Sequence, residues 1–366
     1  MGTTKDNNCE SIKVKATNKN TTLNFFETIA CMMIVFIHSE FPGIFGSVIV
    51  KGMACFGVPL FFLVSGFFLM KQNTTKEELK LKLKKRIKKT LPLILFSFLI
   101  YFLLSVLQAQ FSVNGEGAVQ FIKTTFSIKS ILKLLLLNIP MINIPTWFLL
   151  AQLYSYIIIY IFANAFLNYK WLPYALASLI IFWLSFRLVV EINHLFLFGN
   201  DLSSSILYMN WFVNGLPLIS LGIVLKRNEA LINKISTKLM LINYFISFAL
   251  MVLEAYLLYV FFDISTRIFL FNIVNAVMII CLSIKKPSLF SNSHFLNQEG
   301  NFKMYVYILH PAVIIMLTTI MNNLDWTKNI FVVSITPIIV LLITLLLSIT
   351  INYVIVKLKN KCNKSY

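Results

Sequence analysis

Charge is what this 366-residue sequence has least of: Asp, Glu, Lys and Arg together make up 13% of it, against about 25% in an ordinary soluble domain. That deficit excludes a water-soluble globular chain. Histidine is scarce too, with four, at positions 38, 194, 294 and 310. No His-x-x-x-His pair and no paired cysteines occur, so no metal-ligand spacing is present and no metal is expected. The five cysteines make no disulfide framework, because Cys31, Cys55 and Cys281 lie inside apolar runs while Cys9 and Cys362 lie in polar tails. A phosphate-binding glycine loop and a dinucleotide fingerprint are both missing, which argues against transport driven by nucleotide hydrolysis in this chain. Ser65, in LVSGFF, lacks the flanking pattern of a nucleophile elbow and reads instead as half of a small Ser-Gly pair that lets helices pack closely. Internal repeats of the kind transporters carry between their halves are not visible.

What the sequence has in quantity is apolar length. Hydrophobic residues are 58% of the chain and aromatics 14%. About 20 residues at 1.5 Å rise cross a hydrocarbon core of roughly 30 Å, and ten stretches meet that requirement closely enough to be read as spans. Two lie within 23–70, followed by 91–108, 146–166, 171–190, 211–225, 239–261, 268–284, 304–320 and 330–356. The expected fold is therefore all-α, a polytopic integral-membrane helical bundle of about ten transmembrane helices. It occupies 23–356 between polar tails at 1–22 and 357–366. The first tail has no apolar periodicity and is expected to be disordered; it does not resemble a cleavable signal, so the first span should stay as an anchor. Trp147 and Trp211 stand near span ends, as an interfacial aromatic belt requires. Within segment 111–143, Phe121 to Leu137 is apolar but interrupted by Lys123, Lys129 and Lys133, and this amphipathic pattern predicts a segment that lies in the interface or re-enters rather than crosses.

The formal net charge of +18 raises nucleic acid as a partner, but the basic residues sit between spans, where they mark membrane topology instead. With ten spans, 25 lysines and arginines fall on one side and six on the other, with Arg187 inside a span. Cytoplasmic loops carry that excess, so both termini are expected in the cytoplasm. The densest block, 71–90, holds nine basic residues in twenty and spaces leucines among them, the pattern of a basic helix lying along the membrane surface.

Polar groups inside the first hairpin are the next signal. Glu27 and His38 are eleven residues apart. Eleven residues turn an α-helix about 20° past three full turns, so both side chains share one face, roughly 16 Å apart along the axis. Ionisable groups at membrane depth face a bundle interior or a water-filled cavity and are functional candidates.

Five stretches in order carry a resemblance to a known family: Phe25 to His38, GVPLFFLVSGFFLM from Gly57, KKRIKKTLP from Lys84, TWFLLAQLYSY from Thr146 and YVYILHPAV from Tyr305. Together they resemble the integral-membrane acyltransferase-3 family, which includes bacterial O-acetyltransferases of cell-surface polysaccharides, and they span nearly the whole chain. The resemblance implies a multi-pass cell-membrane enzyme that takes an acyl group, acetyl above all, from cytoplasmic acetyl-CoA to a sugar or glycan hydroxyl outside. One position departs from the pattern. Family members carry Arg, sometimes Lys, eleven residues before the first-helix histidine, and here that residue is Glu27.

Transfer from a thioester to a sugar hydroxyl needs a base that is neutral near pH 7, and imidazole, with an unperturbed pKa of about 6.5, suits it. His38 is the candidate base, with Glu27 on the same stripe. Arg86 and Lys89, just before Pro92, are candidates for the phosphates of the donor, since the planar guanidinium fork binds two oxygens at once. His310, within a His-Pro pair, is the second histidine at membrane depth; it is placed in the inner half of its span, apart from His38, and joins Arg86 and Lys89 as a candidate for binding the donor. Glu254, mid-span, is expected to be protonated or paired with a cation such as Arg187. Glu191, His194, Asp201, Asp263 and Asp325 lie on outer loops, available to a polar acceptor or simply solvated. A transporter or flippase for a small polar solute or a saccharide lipid is the competing reading, for which ten spans with buried Glu254, Arg187 and His310 serve equally well.

Overall fold

The computed structural model describes residues 20–71, 73–111, 117–142, 144–192, 209–262, 268–291 and 302–362. Among the described residues all regular structure is helical. The first helix, α1, runs Thr21–His38; the Asn20 side chain accepts the Leu23 N–H at 2.9 Å and so caps it. Its buried residues Leu23, Phe26, Ala30, Cys31, Ile34 and Val35 recur at three- and four-residue steps, the signature of a helix with one face in a core. A wide turn of π-helix, Phe45–Val50, then leads into the short α2, Lys51–Ala54, and α3, Gly57–Phe67.

α3 is the axis of the bundle. Leu60, Phe62 and Leu63 on it are wholly buried. It lies against α1 and against α10, Leu216–Arg227. The approach to α10 is closest where Gly66 meets Gly222: a Cβ on Gly66 would run into the Ile219 carbonyl, and one on Gly222 into that of Leu63. Small residues at such a crossing let two backbones touch, which is how helices without a hydrophobic driving force between them associate in lipid.

Basic segment 71–90 does not form a separate surface helix. From Lys76 on it is the start of one 36-residue helix, α4, Lys76–Phe111, which continues through Pro92. The reason is where its leucines go. Leu79 and Leu83, one turn apart, are fully buried in the cluster that holds Tyr156, Ile159, Ala163 and Phe166, so the apolar stripe of the basic half packs on protein rather than on lipid. Beyond Pro92, Leu95, Leu99, Leu103 and Leu107 are exposed at four-residue steps. In water such a stripe would be an aggregation surface; in a bilayer it is the lipid-facing side.

Segment 117–142 holds two short helices, α5, Ala118–Thr125, and α6, Ile128–Leu137. At 1.5 Å per residue they measure about 12 and 15 Å, so neither is long enough to cross. The remaining helices are α7, Trp147–Ile161; α8, Ala163–Asn168; α9, Leu172–Ile192; α11, Glu229–Ile232; α12, Thr237–Phe262; α13, Leu270–Lys285; α14, Phe302–Asn323; and α15, Ile330–Cys362. Each of the ten apolar stretches thus overlaps a helix. Among the described residues seven helical spans are long and apolar enough to cross a membrane, while α7 and α13 are shorter apolar helices and α10 has 12 residues behind a π turn at Trp211–Gly215. The chain is a multi-pass membrane protein. Trp147 departs from the belt reading: at 7% exposure it belongs to the core, whereas Trp211 donates its indole N–H to the Leu136 carbonyl.

The basic loops gather at one end. Thr22 bonds the Pro287 carbonyl through its N–H, Lys285 reaches the Asn233 carbonyl, and Arg227 holds the Lys170 and Phe166 carbonyls. Glu40 and Lys51 pair at the end of the hairpin opposite Thr22.

Candidate active site

α1 and α14 are packed side by side, and they carry the two described histidines. The His38 and His310 rings are stacked, centroids 5.3 Å apart and planes 27° from parallel. This corrects the expectation that they lie at different depths. Lys303, one residue into α14, meets Glu27, six residues into α1, so α14 starts about 7.5 Å inset from the beginning of α1. Counting residues from each span's start missed that offset.

His310 is wholly buried. Its Nδ1 lies 3.1 Å from the Val306 carbonyl oxygen, which only a protonated Nδ1 can satisfy, so the tautomer is assigned as Nδ1–H and Nε2 is left as an acceptor. That Nε2 has no hydrogen-bond partner among the described residues. A buried polar atom without a partner is uncommon enough to need an explanation, and a substrate group is one.

The turn that holds His310 is opened on purpose-built terms. Pro311 has no N–H to return to the preceding turn, and the next bond, from Ala312 to Ile308, is interrupted by a side chain from α4. Tyr101, itself 1% exposed, donates its hydroxyl to the Ile308 carbonyl at 2.5 Å and accepts the Ala312 N–H at 3.0 Å. One hydroxyl therefore takes the place of a backbone bond on either side of the His310–Pro311 step. Tyr307 adds a wall, its ring 6.0 Å from His310 and 5.7 Å from Phe148, and its hydroxyl bonds the Pro145 carbonyl. Tyr101 also lines an apolar cavity of about 240 Å³ with Ile94, Phe98, Leu134 and Met141.

At the other end of the same two helices, Lys303 Nζ lies 2.5 Å from Glu27 Oε2 and 2.8 Å from Asn24 Oδ1. Cys31 Sγ approaches the Lys303 carbonyl at 2.9 Å. Lys303 was not among the candidates. Its signal was its register: seven residues, two helical turns, put it on the same face as His310, as Glu27 is with His38.

Arg86 stands apart from the histidines, joining three helices. Its Nη1 donates to the Ser65 carbonyl at 2.6 Å and to the Tyr156 hydroxyl at 3.2 Å, with the guanidinium 5.4 Å from that ring. Ser65 Oγ is bonded to the Phe61 carbonyl at 2.8 Å and receives Gln152 at 2.6 Å, in keeping with a packing role beside Gly66. Lys89, three residues after Arg86, is exposed on α4.

Glu254 and Arg187 clasp the entry to α13. The Glu254 carboxylate accepts the N–H groups of Leu270 at 3.2 Å and Phe271 at 2.8 Å, satisfying donors that a helix start leaves open. Arg187 donates to the Ile268 carbonyl and lies 5.1 Å over the Phe269 ring. His194, Asp201 and Asp263 lie outside the described residues; Glu191 is in the last turn of α9, and Asp325 sits at a left-handed turn before α15.

A family model for an acyltransferase domain matches residues 20–357. No curated protein and no solved structure gives a significant match. The match takes in every helix that holds the histidine pair, the Lys303–Glu27 cluster and Arg86, and the chain belongs to the acyltransferase-3 family of membrane acyltransferases.

Proposed function

We propose that this acyltransferase moves an acyl group, acetyl in the first instance, from cytoplasmic acyl-CoA to a hydroxyl of an extracytoplasmic sugar or glycan, with His38 as general base. The observation that carries the reading is the stacked His38–His310 pair, with the buried Nε2 of His310 unpartnered among the described residues. His38, half-buried at the end of α1, takes the proton of the attacking hydroxyl. The hydroxyl oxygen bonds to the thioester carbon, the C–S bond breaks, and the imidazolium returns its proton to the departing thiolate. Ester and free thiol are the products, and the base is regenerated.

His310 belongs on the donor side of this pair. As an acceptor, its Nε2 suits an amide N–H of the donor's pantetheine arm. Arg86 keeps guanidinium donors beyond the two bonds made by Nη1, and with Lys89 on the same helix it is suited to the donor's phosphates. The end of the bundle where the basic loops gather is then the cytoplasmic side of a plasma membrane, with both termini there.

Purified protein incubated with radiolabelled acetyl-CoA and cell-envelope glycan tests the assignment. Label should pass to glycan with the wild type and fall at least about 10²-fold with His38→Ala, the scale of a lost general base. Undiminished transfer in that variant removes His38 from the mechanism; solute uptake without any transfer would favour a transporter or flippase.

A further inference from the structure

α1 and α14 meet through two kinds of contact. Between the polar groups lie Cys31, Val35 and Val306, with Phe302 and Val313 just beyond them, an apolar seam whose attraction is non-directional. Such a seam holds two helices together without fixing how far one has slid along the other. Directional contacts flank it: near one end the ion pair of Glu27 and Lys303, with Asn24 as the lysine's second acceptor and the Cys31 thiol on the Lys303 carbonyl, and at the other end the stacked histidines. The Glu27 and Lys303 side chains are only 20% and 22% exposed, so solvent weakens their attraction far less than it does for a pair on an open surface.

The two ends are linked by rigid helix. Glu27 precedes His38 by three turns and Lys303 precedes His310 by two. A slip of α14 by one turn would carry His310 about 5.4 Å along α1, further than the 5.3 Å that now separates the rings. The histidines are on the machinery side of this arrangement; the ion pair is on the alignment side.

We propose that Glu27 and Lys303 are positioning residues for acyl transfer: their ion pair sets the register of α14 on α1 and thereby keeps His310 face to face with His38. This rests on the histidine pair being the reaction centre. It gives Glu27 a role that needs no contact with the acyl donor, and it explains how a carboxylate is accommodated on the face of α1 that leads to the base.

Charge reversal tests it. Glu27→Lys alone and Lys303→Glu alone each place like charges together and should lower kcat for acyl transfer about tenfold or more, with KM for acyl-CoA little changed; a tenfold change is about 1.4 kcal/mol of coupling. The double variant, Glu27→Lys with Lys303→Glu, should recover most of the loss. If the double variant stays as poor as the singles, or if KM for the donor rises while kcat holds, Lys303 acts on the donor directly and the proposal fails. A second measurement does not depend on activity. With His38→Cys and His310→Cys together, a short bifunctional thiol reagent should join the two positions, read by mass spectrometry of the linked peptides. Adding Glu27→Gln should slow that cross-link about tenfold, and an unchanged rate overturns the register role whatever the enzyme's substrate. Slower linking in a protein that transfers no acyl group would leave the clamp standing and remove the reaction.

Discussion

Tyr101 shows how much a single atom can position. Its hydroxyl stands between the Ile308 carbonyl and the Ala312 N–H, so the turn that carries His310 keeps its polar groups satisfied while its own ladder is open. Replacing it with Phe lets α14 close that bond itself, and the net change in stability should be small, about 1 kcal/mol. Closing it moves the turn. A displacement near 1 Å in a reacting group costs up to about 10²-fold in rate, so Tyr101→Phe should lose most acyl transfer at nearly unchanged thermal midpoint in detergent. A loss of midpoint in proportion to the loss of activity would mean that Tyr101 only holds the fold. At this scale sequence reading singled out Glu27, His38 and His310 as polar groups conspicuous against apolar neighbours, and Arg86 and Lys89 as the end of a basic run just before Pro92. It missed Tyr101 and Lys303, one a tyrosine among other aromatics and the other a lysine near a span's end, whose importance comes only from what lies across the helix interface.

Helices divide into those that meet protein and those that meet lipid, and the difference is visible in their patterning. The window of α3 with its preceding turn is 61% buried, whereas the most apolar windows of α4 and α15 are 17% buried. Hydropathy alone ranks them the other way, since α15 is the most apolar and α1 among the least. The lipid takes the greasiest helices, and the centre takes those with glycine, serine and polar side chains that bond to one another. Gly222 belongs to the second group. Gly222→Ala pushes a methyl into the Leu63 backbone, and overpacking of this kind should cost about 1–3 kcal/mol, measured as a lower unfolding midpoint and poorer yield. A wild-type midpoint would show that α3 and α10 have room to separate. The fate of segment 71–90 follows from the same distinction: a basic amphipathic helix reads identically whether its leucines meet lipid or protein, and only the position of α7 and α8 beneath Leu79 and Leu83 decided for protein.

For the whole molecule, sidedness is the property with the widest consequence. Loops that hold the excess of basic residues are joined to one another at one end of the bundle through Thr22, Lys285 and Arg227, the end that the proposed function assigns to the cytoplasm and to entry of the donor. Cys9 and Cys362 lie in the two tails, whereas Cys31, Cys55 and Cys281 are buried. A membrane-impermeant maleimide should therefore leave both tail cysteines unlabelled in intact cells and modify both once the membrane is opened. Labelling in intact cells would invert the topology and place the acyl donor's entrance on the wrong face.

By itself the sequence determined the class of the molecule: with so little charge and so many long apolar runs, the chain has no stable state in water, and helices are the form in which a single segment satisfies its own backbone in lipid. It also determined the candidates, since an ionisable group in such a run is expensive wherever it stands. Which of them lie together was decided only by packing. Helical periodicity fixes the face on which a side chain lies but carries no information about how far one helix is shifted against another. That shift, set where Lys303 finds Glu27, is what brings two histidines 272 positions apart in the chain within 5.3 Å of each other.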